Sequence, residues 1–289
     1  MSLAAYYGPD KFALSFELFP PRTPKGEKAL VRHVTQLAEL KPSFITCTYG
    51  AGGSTQNKTL EIADLVKRQF DIPVASHLTC VDATADDLRE YLDRAARQEV
   101  DYIVALRGDP PKGEQQFRAV EGGFQYASQL VELLRAEFPQ FGVAVAGYPE
   151  KHMEAPSLEV DLQNLAKKVA CGADIVVTQL FYNNADFFRF RQQYEELGIA
   201  APLVPGILPI TNLAQVERLT SMCGAHLPAD LVEQLRRKDD PKWQLQVGID
   251  FAIQQVRELL DSGVAGLHFY VLNKSEATSA VLRAVQQIG

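Results

Sequence analysis

The 289-residue sequence predicts an α/β fold: a single (β/α)8 TIM barrel over residues 1–289, with extra helices between strands 7 and 8. Eight short runs of β-branched and aromatic residues recur along the chain, and segments with helical periodicity separate them. This alternation indicates βαβ units and a parallel sheet, and eight units indicate a closed barrel. No linker rich in Pro, Gly or Ser divides the chain, and about 250 residues commonly form one such domain.

The predicted strands are nearly continuous in apolar residues, which is typical of strands covered on both faces. In chain order they are Phe12–Phe19, Ser43–Tyr49, Val74–Cys80, Tyr102–Arg107, Gly142–Tyr148, Ile175–Phe181, Leu203–Pro209 and Gly266–Leu272.

The predicted helices show apolar residues at positions i, i+3, i+4 and i+7. One such helix follows Thr84, which with Asp87 forms a plausible N-terminal cap, and a second follows a possible cap at Ser157. Extra helical sequence at Ala229–Asp261 is assigned to outer helices rather than to a second domain. The irregular stretch Asp109–Gly123 is predicted to be a loop that covers a site.

Composition excludes several classes of protein. The net charge of −7 argues against nucleic acid as a main partner, because phosphate backbones recruit basic patches. The sequence has no signal-type apolar region and no membrane-spanning stretch, so we expect a soluble, cytoplasmic protein. Four cysteines at positions 47, 80, 171 and 223 form no C-x-x-C pair and are interpreted as structural thiols.

Polar residues follow almost every predicted strand. In a parallel barrel the active site gathers at the carboxyl ends of the strands, so these side chains are expected to line one pocket. They are Glu17, Thr48, Tyr49, His77, Thr79, Arg107, Asp109, Tyr148, Glu150, His152, Thr178, Gln179, His268 and Asn273.

Two of these positions carry acidic groups with specific expectations. Glu17 lies among aromatic residues, so we expect a raised pKa suited to a general acid; an ion pair with Arg22 is an equal alternative. In the run Arg107-Gly108-Asp109, the arginine offers a fork for phosphate or carboxylate and the aspartate offers charge to a ligand. The alternative there is a tight turn with a surface salt bridge.

Other patterns are weaker. Gly50–Ser54 precedes a helix and would suit an anion, although a flexible turn is favoured. A metal site from His77, His152, His268 and Asp109 is disfavoured, and no metal is predicted. No strand ends in a lysine, which disfavours Schiff-base chemistry. No dinucleotide fingerprint occurs, so a bound nucleotide would be held without a Rossmann half.

A series of motifs extends over nearly the whole chain. In order they are Ser15–Arg22 (SFELFPPR), Thr46–Gly50 (TCTYG), His77–Cys80 (HLTC), Ala105–Asp109 (ALRGD), Gly147–His152 (GYPEKH), Thr178–Phe181 (TQLF), Pro205–Pro209 (PGILP) and His268–Asn273 (HFYVLN). Their order and spacing resemble the methylenetetrahydrofolate reductase family.

The resemblance implies a barrel that binds FAD non-covalently. NADH or NADPH would first pass a hydride to the flavin and leave. The flavin would then reduce 5,10-methylenetetrahydrofolate to 5-methyltetrahydrofolate, which supplies methyl groups for methionine synthesis. The same resemblance implies a homo-oligomer and a catalytic barrel without the regulatory domain of eukaryotic members.

Matched residue by residue, the resemblance makes Glu17 the general acid and Asp109 the acidic group beside flavin and pterin. Arg107 and Lys168 match partners of the FAD diphosphate, and Asp161 matches a partner of a ribose hydroxyl. The full set of matched FAD contacts is Thr48, His77, Arg107, Gly108, Asp109, Tyr126, Ala127, Tyr148, His152, Asp161 and Lys168. The matched substrate contacts are Gln179, Thr48, Asp109 and Lys274.

Two departures limit the match, because Lys274 stands where an arginine is common and Gln129 replaces an acidic residue. Two alternatives also stay open. One is a flavin-dependent dehydrogenase of an amine such as proline on the same barrel. The other is a flavin- or folate-binding protein without turnover.

Overall fold

The strands form one parallel sheet that closes on itself. A computed structural model describes residues 2–8, 10–21, 23–48, 56–110, 113–114 and 116–286. Each strand from β1 to β6 pairs in parallel with the next, and β9 pairs with both β1 and β8. The strands are β1 (Ala13–Leu18), β2 (Phe44–Cys47), β3 (Val74–Thr79), β4 (Tyr102–Leu106), β5 (Gly142–Gly147), β6 (Ile175–Thr178), β7 (Leu203–Val204), β8 (Gly206–Ile207) and β9 (Gly266–Tyr270).

The seventh predicted strand is split in two by Pro205. Proline has no backbone N–H and interrupts a ladder, so β7 pairs with β6 while β8 pairs with β9. His268 N donates to Pro205 O at 3.0 Å and keeps the two halves in one ring. The predicted barrel is therefore confirmed, with the seventh strand broken at its proline.

Helices cover the outside of the barrel, and a short 3₁₀ helix (Leu3–Tyr6) precedes β1. Thr84 and Ser157 cap their helices as predicted: Asp87 N donates to Thr84 Oγ1, and Val160 N donates to Ser157 Oγ. The helices are α1 (Pro24–Ala38), α2 (Gln56–Phe70), α3 (Ala85–Arg97), α4 (Ala127–Glu137), α5 (Leu158–Ala170), α6 (Asn184–Glu196), α7 (Leu213–Cys223), α8 (Ala229–Arg236), α9 (Pro241–Asp261) and α10 (Glu276–Gln286).

The region between the seventh and last strands holds three helices where a simple barrel has one. Helices α8 and α9 occupy the predicted segment Ala229–Asp261, so the extra helices are confirmed. Within the parts of the chain described above, no helix is both long and apolar enough to span a membrane.

Side chains alternate between two environments along each strand, as the pleat requires. On β1, Leu14, Phe16 and Leu18 pack outward into the main hydrophobic core with the helices. At the amino end of the barrel interior, Phe44 and Tyr102 form an apolar cluster with centroids 5.8 Å apart. The 3₁₀ helix covers this end, so the carboxyl end is left to carry the polar groups.

Candidate active site

Glu17 is the centre of a buried polar group at the carboxyl end of the barrel. It is 7% exposed, and its inward position on β1 follows from the alternation that places Phe16 and Leu18 outward. His77 Nε2 on β3 lies 3.3 Å from Glu17 Oε2, and His268 Nε2 on β9 lies 4.0 Å from the same oxygen. Ser15, two residues before Glu17, contacts His268. We call Ser15, Glu17, His77 and His268 the inner cluster.

The pKa of Glu17 is opposite to the sequence expectation. Burial by itself raises the pKa of this carboxyl group, but hydrogen bonding to His268 and His77 outweighs burial and lowers the pKa to about 2. The expectation of a raised pKa was therefore wrong. It considered only the aromatic neighbours of Glu17 in sequence, whereas two imidazoles approach from other strands.

Two contacts fix the orientation of the His268 ring. Its Nδ1 lies 2.8 Å from Ser15 Oγ, and its ring packs edge-to-face on Tyr270 with centroids 5.1 Å apart. Ser15 is fully buried and His268 is 2% exposed. His77 Nε2 is also buried, and its contact within the described residues is with Glu17 Oε2 at 3.3 Å.

Two protein groups beside Glu17 stay neutral near pH 7. Burial, reinforced by the charge of Glu17, raises the pKa of Cys47 and also that of Tyr270. Tyr270 donates its hydroxyl proton to Thr178 O at 2.6 Å, which holds the ring across the mouth of the barrel. A thiol with a raised pKa is a poor nucleophile, in line with a structural Cys47.

A second group of charges surrounds the ends of β4 and β5. Arg107 makes a bidentate ion pair with Glu154, at 2.8 Å from Nη1 to Oε2 and 2.5 Å from Nη2 to Oε1. The Arg107 guanidinium also lies over the Phe117 ring, 4.9 Å from its centroid. Phe117 belongs to the predicted loop Asp109–Gly123, so this loop packs onto the strand-end arginine.

Helix α5 brings Asp161 and Lys168 to the same neighbourhood. Asp161 Oδ2 accepts from His152 N at 2.8 Å, and Lys168 Nζ donates to Ala146 O at 2.6 Å. Burial lowers the pKa of Lys168 to about 8 despite the charge of Asp161. Burial and the charge of Arg107 also lower the pKa of His152. We call Arg107, His152, Glu154, Asp161 and Lys168 the rim cluster.

Asp109 and Tyr148 lie between the two clusters. Asp109 is exposed, and within the described residues it forms no ion pair; the salt bridge of the run Arg107-Gly108-Asp109 joins Arg107 to Glu154. Burial raises the pKa of Tyr148, and the charges of Asp109 and Asp161 raise it further. The Tyr148 ring meets the His152 ring edge-to-face at 4.7 Å.

Gly108 has a structural role at the end of β4. Its φ of +90° lies in the left-handed region, and a Cβ there would meet Val81 Cγ2 at 2.3 Å. The position therefore demands glycine for backbone conformation and for packing against the loop after β3.

The remaining candidate residues are more scattered. Thr48 is half-buried directly after β2, and Gln179 is half-buried with Oε1 accepting from Leu180 N at 2.9 Å. Tyr126 is 61% exposed at the start of α4, next to buried Ala127. Lys274 is exposed after β9.

Gln129 explains one departure from the family pattern. Its Oε1 accepts from Gln125 N at 2.9 Å and from Tyr126 N at 3.0 Å, so the amide caps the start of α4. Arg22, Tyr49 and Gly50–Ser54 lie outside the described residues. Across the described ranges, no group of three or more His, Cys, Asp or Glu side chains is arranged to hold a metal ion.

Comparison with known proteins identifies the family. The family profile for "Methylenetetrahydrofolate reductase" matches residues 3–286. This chain belongs to the methylenetetrahydrofolate reductase family. It is 38% identical over 281 residues to 5,10-methylenetetrahydrofolate reductase of Escherichia coli K12, covering 97% of this chain and 92% of that protein.

Plant members of the family are longer. The chain is 37% identical over 286 residues to methylenetetrahydrofolate reductase (NADH) 1 of Zea mays, which covers 95% of this chain. It spans 48% of the length of that protein and 48% of the corresponding Arabidopsis thaliana protein.

Solved structures of low sequence identity share the fold. A Clostridium thermocellum protein described as binding two copies of 5-methyl-5,6,7,8-tetrahydrofolic acid aligns with a TM-score of 0.63 at 14% identity, covering 96% of both chains. Dihydropteroate synthase from Xanthomonas albilineans aligns with a TM-score of 0.50 at 12% identity, covering 98% of this chain and 96% of the other. These likenesses support the barrel alone.

Sequence reasoning left two neighbours, Tyr270 and Glu154, out of the site. Tyr270 lies two residues after His268 on β9, so both point inward, and this period-two signal was available in the sequence. Glu154 lies in an irregular loop, where no periodicity reveals that its carboxylate reaches Arg107.

Proposed function

We propose that this protein reduces 5,10-methylenetetrahydrofolate to 5-methyltetrahydrofolate, with FAD as bound cofactor and NADH or NADPH as reductant. The observation that carries the proposal is the buried Glu17 at the carboxyl end of a barrel whose sequence belongs to this family from residue 3 to residue 286. An amine dehydrogenase would not need this carboxyl group, because removing a hydride from an amine requires no acid to open a ring. A binding protein without turnover would not need it either.

The residues around the mouth of the barrel fit FAD. Arg107 and Lys168 are cationic donors suited to a diphosphate, and Lys168 has no carboxylate at ion-pair distance within the described residues. His77, which matches an FAD contact, lies at the carboxyl end of β3 with Nε2 3.3 Å from Glu17 Oε2. Asp161 would hold a ribose hydroxyl. When bound, FAD supplies the site that accepts a hydride from the nicotinamide and returns it to the folate.

Glu17 and Asp109 would have separate roles in the reduction of the folate substrate. The folate substrate contains a closed five-membered ring, and hydride transfer needs an open iminium carbon. Glu17 would donate a proton to a ring nitrogen and so open the ring. Asp109, exposed at the end of β4, would stabilise the iminium cation by its fixed negative charge.

The other substrate contacts follow from the family match. Gln179 would bind the pterin through its amide, Thr48 would line the same pocket, and Lys274 would contact the substrate from the end of β9. One barrel domain would serve both substrates in turn, in a cytoplasmic homo-oligomer. NADH is the first reductant to test, because the plant relatives carry NADH in their names.

The visible spectrum of the purified protein tests the proposal. We expect a yellow protein with flavin absorbance that NADH bleaches under anaerobic conditions and that methylenetetrahydrofolate then restores. A colourless protein that takes up no added FAD would contradict the cofactor assignment.

The same preparation separates the alternatives. Bleaching by proline without NADH would favour the amine dehydrogenase. A yellow protein that neither NADH nor an amine bleaches would favour a binding protein without turnover. Each result replaces the proposed function with a specific competitor.

A further inference from the structure

The carboxyl end of β6 has an unusual hydrogen-bond arrangement beside the broken seventh strand. In an unbroken parallel ladder, the Thr178 carbonyl would accept from a backbone N–H of the seventh strand. Here the Gly206 N–H donates instead to the side-chain oxygen Thr178 Oγ1 at 2.9 Å. The Thr178 carbonyl is therefore left to another donor, and the Tyr270 hydroxyl on β9 donates to it at 2.6 Å.

Gly206 leaves the room that this contact requires. A Cβ at this position would overlap Thr178 O and would lie 2.9 Å from the Tyr270 hydroxyl oxygen. The Tyr270 ring also packs edge-to-face on the His268 ring, with centroids 5.1 Å apart. Tyr270 thus extends from β9 across the start of β8 to β6, and packing against Gly206 and His268 fixes its orientation.

The bond from Tyr270 acts directly on Gln179, because the Thr178 carbonyl and the Gln179 N–H belong to one planar peptide unit. The Gln179 N–H donates to Gly147 O on β5 at 2.7 Å. A side chain of β9 therefore holds one edge of this unit and the backbone of β5 holds the other. The unit cannot rotate unless a hydrogen bond breaks, so the direction in which the Gln179 side chain leaves the backbone is fixed.

The side-chain amide of Gln179 is oriented as well. Its Oε1 accepts from Leu180 N at 2.9 Å, which leaves Nε2 as the group that can meet a ligand. Within the described residues Nε2 forms no hydrogen bond, and the side chain is half-buried at the end of β6. Gln179 therefore presents an N–H donor, which suits a carbonyl oxygen or a ring nitrogen of a pterin.

We propose that Tyr270 is a positioning residue that aligns the Gln179 amide with the pterin of the folate substrate. It acts through the peptide unit that joins Thr178 to Gln179. The inference rests on the proposed function for the identity of the ligand, whereas the orientation of the Gln179 side chain can be measured without any substrate.

The Thr178 carbonyl depends on this one hydroxyl. Thr178 is fully buried, so water does not reach its carbonyl and a protein donor must satisfy it. Burial and the negative charge of Glu17 raise the pKa of Tyr270, so the hydroxyl keeps its proton and stays a donor. Loss of the hydroxyl would leave a buried carbonyl without a partner, and the peptide unit would rotate to recover one.

The variant Tyr270→Phe tests the proposal, because it removes the hydroxyl and keeps the ring. The Kd for 5-methyltetrahydrofolate, measured by calorimetry, should rise about 10-fold. At saturating substrates, stopped-flow absorbance should show both half-reactions within about twofold of the wild-type rates. An unchanged Kd, or an equal loss of rate in both half-reactions at saturation, would overturn the proposal.

The matched control is Tyr194→Phe on α6. The Tyr194 hydroxyl donates to the backbone oxygen Ala201 O at 2.7 Å, and Tyr194 is 2% exposed. This variant loses a comparable bond from a buried tyrosine to a carbonyl, so it should lose stability and leave the Kd for folate unchanged. A rise in Kd equal to that of Tyr270→Phe would reduce the effect to general destabilisation and would overturn the proposal.

A double-mutant cycle tests whether Tyr270 acts through Gln179. Gln179→Ala removes the amide and should weaken folate binding by itself. In that background Tyr270→Phe should change the Kd by less than about twofold, because no amide is left to align. If the full effect of Tyr270→Phe persists without the amide, Tyr270 acts on the ligand by another route and the proposal is wrong.

NMR of the ¹⁵N-labelled side-chain amides reports the orientation of Gln179 in the absence of substrate. Gln179→Ala assigns the Nε2 signal, which should shift or split in Tyr270→Phe and stay in place in Tyr194→Phe. An unchanged signal in Tyr270→Phe would overturn the proposal even if the enzyme reduces folate. The expected shift in a protein that neither binds nor reduces folate would overturn the proposed function alone.

Discussion

The inner cluster and the rim cluster lie on different secondary-structure elements and differ in solvent exposure. The inner cluster rests on strands β1, β3 and β9, and its Glu17, His77 and His268 side chains are at most 10% exposed. The rim cluster comes from strand ends, a loop and helix α5, and its Arg107 and Glu154 side chains are 19% and 38% exposed. The strands of the barrel hold the inner cluster in place, whereas the charged groups of the rim cluster can exchange a protein partner for a ligand.

This difference matches the two tasks proposed for the site. Proton delivery needs fixed distances between a few atoms, which paired strands provide. Cofactor binding needs charged side chains that can exchange a protein partner for a ligand, as Arg107 would do if it released Glu154. Changes in the inner cluster should therefore alter one chemical step, whereas changes in the rim cluster should alter affinity.

The largest effect is expected from Glu17→Gln. The amide keeps the shape of the carboxyl group but cannot donate an acidic proton, so the folate half-reaction should fall by about 10³-fold. Flavin reduction by NADH should remain near the wild-type rate. Stopped-flow absorbance of the two half-reactions measures both values, and equal losses would mean that Glu17 is structural.

Asp109→Asn is the matched change at an exposed carboxylate. Removing a negative charge beside the flavin should raise its reduction potential, so NADH oxidation should speed up while folate reduction slows. An unchanged potential would place Asp109 away from the ring and would leave Glu17 as the sole acidic group of the site.

The second-largest effect is expected from Arg107→Ala. Loss of a hydrogen-bonded charge typically costs about 1.5–3 kcal/mol, so the Kd for FAD should rise roughly 10- to 100-fold. Quenching of flavin fluorescence on binding measures the Kd. Saturating FAD should restore the folate half-reaction, and a loss that persists at saturation would assign Arg107 to the chemistry.

The sequence predicted the inner cluster only in part. The strand pattern located Glu17, His77 and His268 at strand ends, since period-two alternation and apolar runs fix both the strands and their inward residues. It could not give the distances between side chains on β1, β3 and β9. For this reason the pKa of Glu17 was assigned the wrong direction.

The rim cluster shows a different limit. Arg107 follows a strand and was found from the pattern, whereas Lys168 and Asp161 entered only through the family match. Glu154 was missed, because the loop between β5 and α5 has no periodicity to place it. The break at Pro205 was missed as well, since the apolar run around it reads as one strand.

The next prediction concerns pH and uses Lys168. Its pKa of about 8 means that the ammonium loses its charge as the pH rises through 8. The FAD diphosphate favours the charged form, so binding takes up a proton and affinity should fall by up to about tenfold per pH unit above 8. Titrations of FAD at pH 7, 8 and 9 measure this slope.

The same shift has a consequence for stability in the absence of FAD. The unfolded chain holds the Lys168 proton up to its usual pKa of 10.5, while the folded chain releases it near 8. Between these values the unfolded state binds more protons, so the free energy of unfolding should increase with pH over this window.

The variant Lys168→Gln should bind FAD more weakly and should remove the pH dependence of the affinity. A pH dependence that survives in this variant would assign it to another group.

The smallest effect is expected from Glu154→Gln, and its sign is the informative part. Glu154 pairs with the guanidinium that would bind the diphosphate, so FAD must displace it. A half-exposed ion pair is worth up to about 1 kcal/mol, and its removal should therefore tighten FAD binding by about threefold, less at high salt.

The control variant is Glu159→Gln, which removes an exposed carboxylate at the start of α5. It tests for the general loss of negative charge and should leave the Kd for FAD unchanged. Weaker FAD binding in Glu154→Gln would mean that this carboxylate holds Arg107 in its binding orientation, and the rim cluster would then be as preorganised as the inner one.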